Sequence, residues 1–166
     1  MELRKVDYVS PGIKGNRGFE DLECYQLALR VMINAHELAQ KLPPEEKYDL
    51  VVQVRRSSKS TPANIAEGYG RHHYLDSLKF YSNARGSLTE MRAHFITAHV
   101  LGYIDQAYFT ALHALTQHAE KSLNGYMAYV RKQRAGEDLY NTKQLRESPV
   151  EYPAAIEDPY TPFPQE

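Results

Sequence analysis

The stretch Leu50-Val51-Val52-Gln53-Val54-Arg55-Arg56-Ser57-Ser58-Lys59-Ser60-Thr61-Pro62-Ala63-Asn64-Ile65-Ala66-Glu67-Gly68-Tyr69-Gly70-Arg71 decides the fold class. Leu50, Val54, Ser57, Thr61 and Ile65 recur at three- and four-residue steps, one stripe of a helix rather than the alternation of a strand. Pro62 interrupts the stripe. It has no N–H to donate and its ring crowds the preceding turn, so it either kinks one helix or restarts a second with Thr61 as cap. The pattern continues to Ile65 and Ala66, which favours one kinked helix that Gly68 and Gly70 then break. Upstream, Pro44 suits the first turn, so this second helix is expected to start near it.

Three more segments have the same period. From about Glu20 to Leu42, Cys24, Leu27, Val31, Ala35, Leu38 and Leu42 share a face, acidic residues load the first turn, and Pro43-Pro44 closes it. From about Tyr74 to Leu101, Leu78, Tyr81, Leu88, Met91, Phe95 and Ala98 line up, with Gly86 mid-helix, where close approach of a neighbouring helix is expected to compensate its low helix propensity. Gly102 marks a stop and Asp105 a cap. From about Gln106 to Arg134, Tyr108, Leu112, Leu115, Ala119, Leu123, Tyr126 and Val130 face inward. Segments of 23 residues or more with short connections predict an all-α, antiparallel up-down four-helix bundle over residues 19–134. Residues 1–18 read as a flexible arm, and residues 135–166, with five prolines, as a disordered or extended tail.

Charge follows the same division. Residues 1–134 hold 18 of the 20 Lys and Arg and 14 of the 21 Asp and Glu, so the body is mildly basic and the tail acidic. A lone cysteine, Cys24, excludes an internal disulfide framework and points to a reducing cytoplasm. No apolar run is long enough to span a membrane, and Met1-Glu2-Leu3-Arg4-Lys5 has no secretory character.

The segment Ser60–Arg71 resembles the hallmark of the 23S rRNA-intervening sequence protein family, also called four-helix bundle proteins. Phe19-Glu20-Asp21-Leu22, Gly86-Ser87-Leu88-Thr89-Glu90 and Leu101-Gly102-Tyr103-Ile104 agree in order, and the resemblance covers roughly residues 19–130. The sequence departs from the family in having Tyr25 where Trp is usual and no Ser or Thr opening the third helix. The resemblance implies a bundle that assembles into a ring-like pentamer. Some members are encoded inside insertions of 23S rRNA genes. A related bundle, the accessory variability determinant of diversity-generating retroelements, assists a reverse transcriptase and binds nucleic acid; by analogy it suggests an accessory role here. Pro62, Asn64, Glu67, Gly68, Gly70 and Glu90 are the motif positions with structural roles.

For function, the residues point first to phosphate. Arg55, Arg56, Lys59 and Arg71 form one basic group, with Arg55 and Lys59 a turn apart; Arg85 and Arg92 are seven apart on the third helix. Guanidinium groups suit bidentate phosphate contact. The competing reading pairs these arginines with Glu67 and Glu90 inside or between bundles. Asn64 is expected to serve the backbone near Pro62, where a carbonyl loses its donor. Among the histidines, His36, His72, His73, His94, His99, His113 and His118, the paired Glu-x-x-His pattern of di-metal bundles is missing, so neither metal nor cofactor is expected. Cys24 lies on the inward stripe as a core residue. Without a Ser-His-Asp order, phosphate loop or dinucleotide fingerprint, an enzyme is not expected. Tyr69, Tyr74, Tyr81, Tyr103 and Tyr108 near helix ends suit a protein interface. The expectation is therefore a homo-oligomer associated with RNA or DNA. The alternative is a scaffold or accessory subunit that binds a protein partner.

Overall fold

The computed structural model describes residues 3–4, 18–71 and 73–141, with side chains of the last helix described as far as residue 133. A 3₁₀ turn, Phe19–Asp21, leads through Leu22 into α1, Glu23–Lys41. A second 3₁₀ turn, Pro44–Tyr48, precedes α2, Leu50–Tyr69. Then come α3, Tyr74–Val100, and α4, Gln106–Asn141. No strand occurs among the described residues. Each helix packs on two neighbours in the cyclic order α1, α2, α3, α4, and diagonal pairs do not meet. Ser60 facing Ser87 and Gly68 facing Tyr81 set α2 and α3 antiparallel.

The inward stripes hold. Every expected position of α1 and α2 is buried, as are Tyr81, Leu88, Met91, Phe95 and Ala98 of α3 and Tyr108, Leu112, Leu115, Ala119 and Leu123 of α4. Leu78, Tyr126 and Val130 are half-buried against this core. At about 25 cal/mol per Å² of apolar area, this continuous core is the dominant favourable contribution to the fold.

Boundaries differ in three places. The helix after Pro44 begins at Leu50, because the two prolines open a 3₁₀ turn whose Glu46 then caps α2: its Oε2 accepts the Leu50 N–H at 3.3 Å. The other carboxylate oxygen of Glu46 accepts from Tyr103 Oη at 2.9 Å, tying the α3–α4 turn to the same corner. With 19 and 20 residues, α1 and α2 are about 30 Å long, shorter than expected. Helix α4 runs to Asn141 rather than stopping at Arg134. The expected stop rested on a change of charge, and residues 135–141 contain no proline.

The α3–α4 turn matches its prediction. Gly102 has φ +77°, Tyr103 N–H donates to Ala98 O and Gly102 N–H to His99 O, the double bond pattern of a left-handed helix stop. Asp105 Oδ1 accepts the Tyr108 N–H at 2.7 Å, capping α4.

Leu3 and Arg4 are tied down rather than free. Asn34, fully buried on α1, accepts the Arg4 N–H at 2.8 Å and donates to Arg4 O at 3.2 Å, while Leu3 packs on the core. The remainder of the expected arm through residue 17, the tail from residue 142, and His72 lie outside the described residues.

Candidate nucleic-acid interface

The motif around Pro62 builds the α2–α3 seam. Helix α2 passes through Pro62 without a break, and the proline is buried. Lacking an N–H, Pro62 leaves the Ser58 carbonyl without its helical donor. Asn64 acts on the backbone as expected, but two residues beyond that carbonyl: its Nδ2 donates to Ser60 O at 2.8 Å and Ser60 Oγ at 3.0 Å. Ser60 Oγ in turn lies 2.9 Å from Ser87 Oγ on α3, a polar chain linking the two helices.

Gly68 does not break the helix, since α2 continues to Tyr69. Its lack of a side chain lets α3 close in: a Cβ there would stand 2.5 Å from Tyr81 Cε1 and 3.1 Å from the Ser77 carbonyl. The close approach expected at Gly86 is therefore at Gly68 instead, and a Cβ on Gly86 would meet nothing within 4 Å. Gly70 caps α2 in right-handed helical conformation.

Five of the six expected phosphate-binding cations fall into two sets, one on α2 and one along the α3–α4 seam, and Arg71 stands apart from both. Arg55, Arg56 and Lys59 stand exposed on α2. Among the described residues none of them has a carboxylate within ion-pair distance. Arg55 and Lys59 face α1, where their charges act on His36. On α3, Arg92 and Arg85 reach α4 instead: Arg92 Nη1 pairs with Glu120 Oε2 at 3.0 Å, and Arg85 Nη1 lies 3.5 Å from Asn124 Oδ1. Arg71 is occupied on both sides, by Glu67 one turn earlier and by the Phe80 ring 4.6 Å from its guanidinium carbon. Glu90 takes His94, at 3.6 Å, rather than an arginine.

The tyrosines divide likewise. Tyr81 and Tyr108 are core residues, with Tyr81 edge-on to Tyr126 at 5.3 Å. Burial holds both phenols above the ordinary range, Tyr108 up to about 12. This corrects the interface reading for these two, while Tyr69 remains 41% exposed. Burial likewise pushes the Cys24 thiol up to about 11, consistent with a core residue. Among the described residues no three His, Cys, Asp or Glu side chains group as metal ligands would.

Sequence reading missed the α1 side of the basic face. His36 stands opposite Lys59 and Arg55; burial first, then those two charges, hold its proton affinity below the usual imidazole range. Arg4, Lys59 and His36 line one cavity of about 300 Å³. Several exposed apolar residues were also missed. The register set by Ser60 and Ser87 puts Val52 level with Ile96, and Tyr48, Val52, Ile96, Val100 and Leu101 are all exposed toward this end of α2 and α3.

An antiparallel four-helix bundle, its second helix threaded by a buried proline and closed on the third through a glycine, places the chain among the four-helix bundle proteins. The match to a family model then makes the assignment specific: residues 20–125 fit the 23S rRNA-intervening sequence protein model, and the chain belongs to that family. No curated protein matches the chain significantly. No helix among the described residues is long and apolar enough to cross a membrane.

Proposed function

We propose that this protein is a non-enzymatic, cytoplasmic, homo-oligomeric bundle that associates with nucleic acid, RNA in the first place, through the outer face of α2. The carrying observation is the state of Arg55, Arg56 and Lys59: three exposed cations within five residues, none neutralised by a carboxylate among the described residues. Cations of this kind gain most from releasing the counterions of a polyanion. Arg71 and Arg92 contribute less, because each would first give up a carboxylate. Phosphate contact of this type positions a nucleic acid without reading its sequence. Family membership supports association with RNA and a pentameric ring in the same measure. The test is binding of structured RNA and duplex DNA across a salt series. Affinity that falls with salt, and falls less steeply once the three cations are replaced by Ala, supports the reading; no binding at low salt sinks it.

The exposed apolar group Tyr48, Val52, Ile96, Val100 and Leu101 favours a second reading, a scaffold or accessory subunit whose partner is a protein. It also offers a surface for self-assembly. A light-scattering mass of about 95 kDa, five copies of the 19.1 kDa chain, is expected of the pentamer. A monomer mass at micromolar concentration would refute it.

A further inference from the structure

We propose that the α1–α2 seam contains a site for a single phosphate group, held by Lys59 and Arg4 beside the His36 ring, with Arg55 nearby adding positive charge. The site deepens the phosphate-binding reading of α2 and rests on it. Three observations converge. The cavity of about 300 Å³ between the helices is bordered by Arg4, His36 and Lys59 and floored by Met32 and Ile33, a volume that admits a phosphate with part of its ester group. Lys59 and Arg55 bring positive charge to it with no carboxylate of their own among the described residues. Finally, His36 Nε2 is shut off from water and has no hydrogen-bond partner. A buried imidazole nitrogen normally has one.

The groups facing His36 come from three segments. From α2 there are Lys59 and Arg55. On its own helix the neighbouring cavity residues are Glu37 and neutral Gln40. From the N-terminal segment there is Arg4, whose guanidinium meets Glu37 at 3.4 Å and thereby offsets that carboxylate. Burial first, and then the positive charges of Lys59 and Arg55, lower the proton affinity of the His36 imidazole. An anion in the cavity opposes those charges. It favours the imidazolium through its charge alone, since His36 Nε2 is closed off from the cavity solvent. Phosphate binding and protonation of His36 are thus linked, and each strengthens the other.

The experiment follows the His36 ring by NMR between about pH 4 and 8 in the full chain. It compares protein alone with protein plus dimethyl phosphate, a diester of constant charge, and with protein plus inorganic phosphate. The expected result is an upward move of the His36 midpoint by about one pH unit with anion. Lys59→Gln raises the midpoint of the anion-free protein and shrinks the move. Response to both anions identifies a backbone diester as the ligand class, and response to inorganic phosphate alone identifies a terminal or free phosphate. A midpoint that neither anion moves overturns the site. The parent reading is judged apart: RNA binding with a silent His36 keeps that reading and removes the site. A responsive His36 without RNA binding keeps the site and removes the reading.

Discussion

The α2–α3 seam makes a sharp prediction, because one chemical change has opposite signs at two glycines. Gly68→Ala puts a methyl group 2.5 Å from Tyr81 Cε1, 2.9 Å from Tyr81 Cδ1 and 3.1 Å from the Ser77 carbonyl. Tyr81 is 2% exposed and edge-on to Tyr126, so its ring has nowhere to swing, and the Ser77 carbonyl belongs to the backbone of α3. Forcing a methylene-sized group into such packing costs about 1–3 kcal/mol. The substitution recovers about 1 kcal/mol of helix propensity, leaving a net loss of up to about 2 kcal/mol. Gly86→Ala recovers the same propensity and meets nothing within 4 Å, so it stabilises by up to about 1 kcal/mol. Thermal unfolding followed by circular dichroism, at matched protein concentration because assembly shifts the midpoint, separates the two. At about 2–4 °C per kcal/mol, the variants should differ by several degrees, Gly68→Ala below the wild type and Gly86→Ala above it. A Gly68→Ala protein as stable as Gly86→Ala would refute the packing argument and return Gly68 to the role of a helix breaker.

Replacing Arg55, Arg56 and Lys59 together by Ala should make the salt dependence of RNA binding shallower by about two to three contacts, while thermal stability moves little, since the three have no carboxylate partners to strand. Arg92→Ala should cost about 1 kcal/mol in urea unfolding by leaving Glu120, itself about a quarter exposed, without its cation; a neutral result would mean the pair contributes nothing measurable. Asn34→Ala should remove the hydrogen-exchange protection of the Arg4 amide and lower stability by about 1–3 kcal/mol, and an Arg4 amide that stays protected would contradict the clamp. Because His36 binds its proton less readily folded than unfolded, it contributes stability in full above about pH 6.5, and that contribution is lost as pH falls through the lower folded value. His36→Gln should flatten that part of the stability–pH curve.

Periodicity carried the fold because burial follows it. A helix that must hide one face repeats apolar residues every three or four positions, and the stripes through Cys24–Leu42 and Leu50–Ile65 lie inside without exception. Asn34 and Thr116, both fully buried, escaped that logic because polar side chains carry no weight in it. Asn34 is explained by the main chain of Arg4, thirty residues away, and Thr116 by the Leu112 carbonyl one turn back. Helix ends were legible where chemistry enforces them, at Gly102 with its positive φ and at Asp105 with its cap. They were not legible at Leu50, where a distant-looking Glu46 does the capping, or at Arg134, after which the sequence has no proline through residue 141.

The site was legible in its members and not in its pairing. Arg71 with Glu67 is an i, i+4 pair, so sequence spacing alone brings the two charges together. Arg92 has a glutamate only two residues before it, on another face of the helix; Glu90 meets His94 one turn on, and Arg92 crosses to Glu120, a pairing set by the packing of α3 on α4. Spacing likewise joined Arg55 to Lys59 but said nothing of His36, which reaches them from another helix. Which cations are free for phosphate is therefore a property of the bundle rather than of any one helix. An arginine whose helix neighbours lack acid can still be neutralised across a seam, as Arg92 is. Lys59, facing a seam with its nearby acid already held by Arg4, stays available. This is why the proposed interface narrows from six cations to the three on α2 and gains His36 and Arg4 on the α1 side.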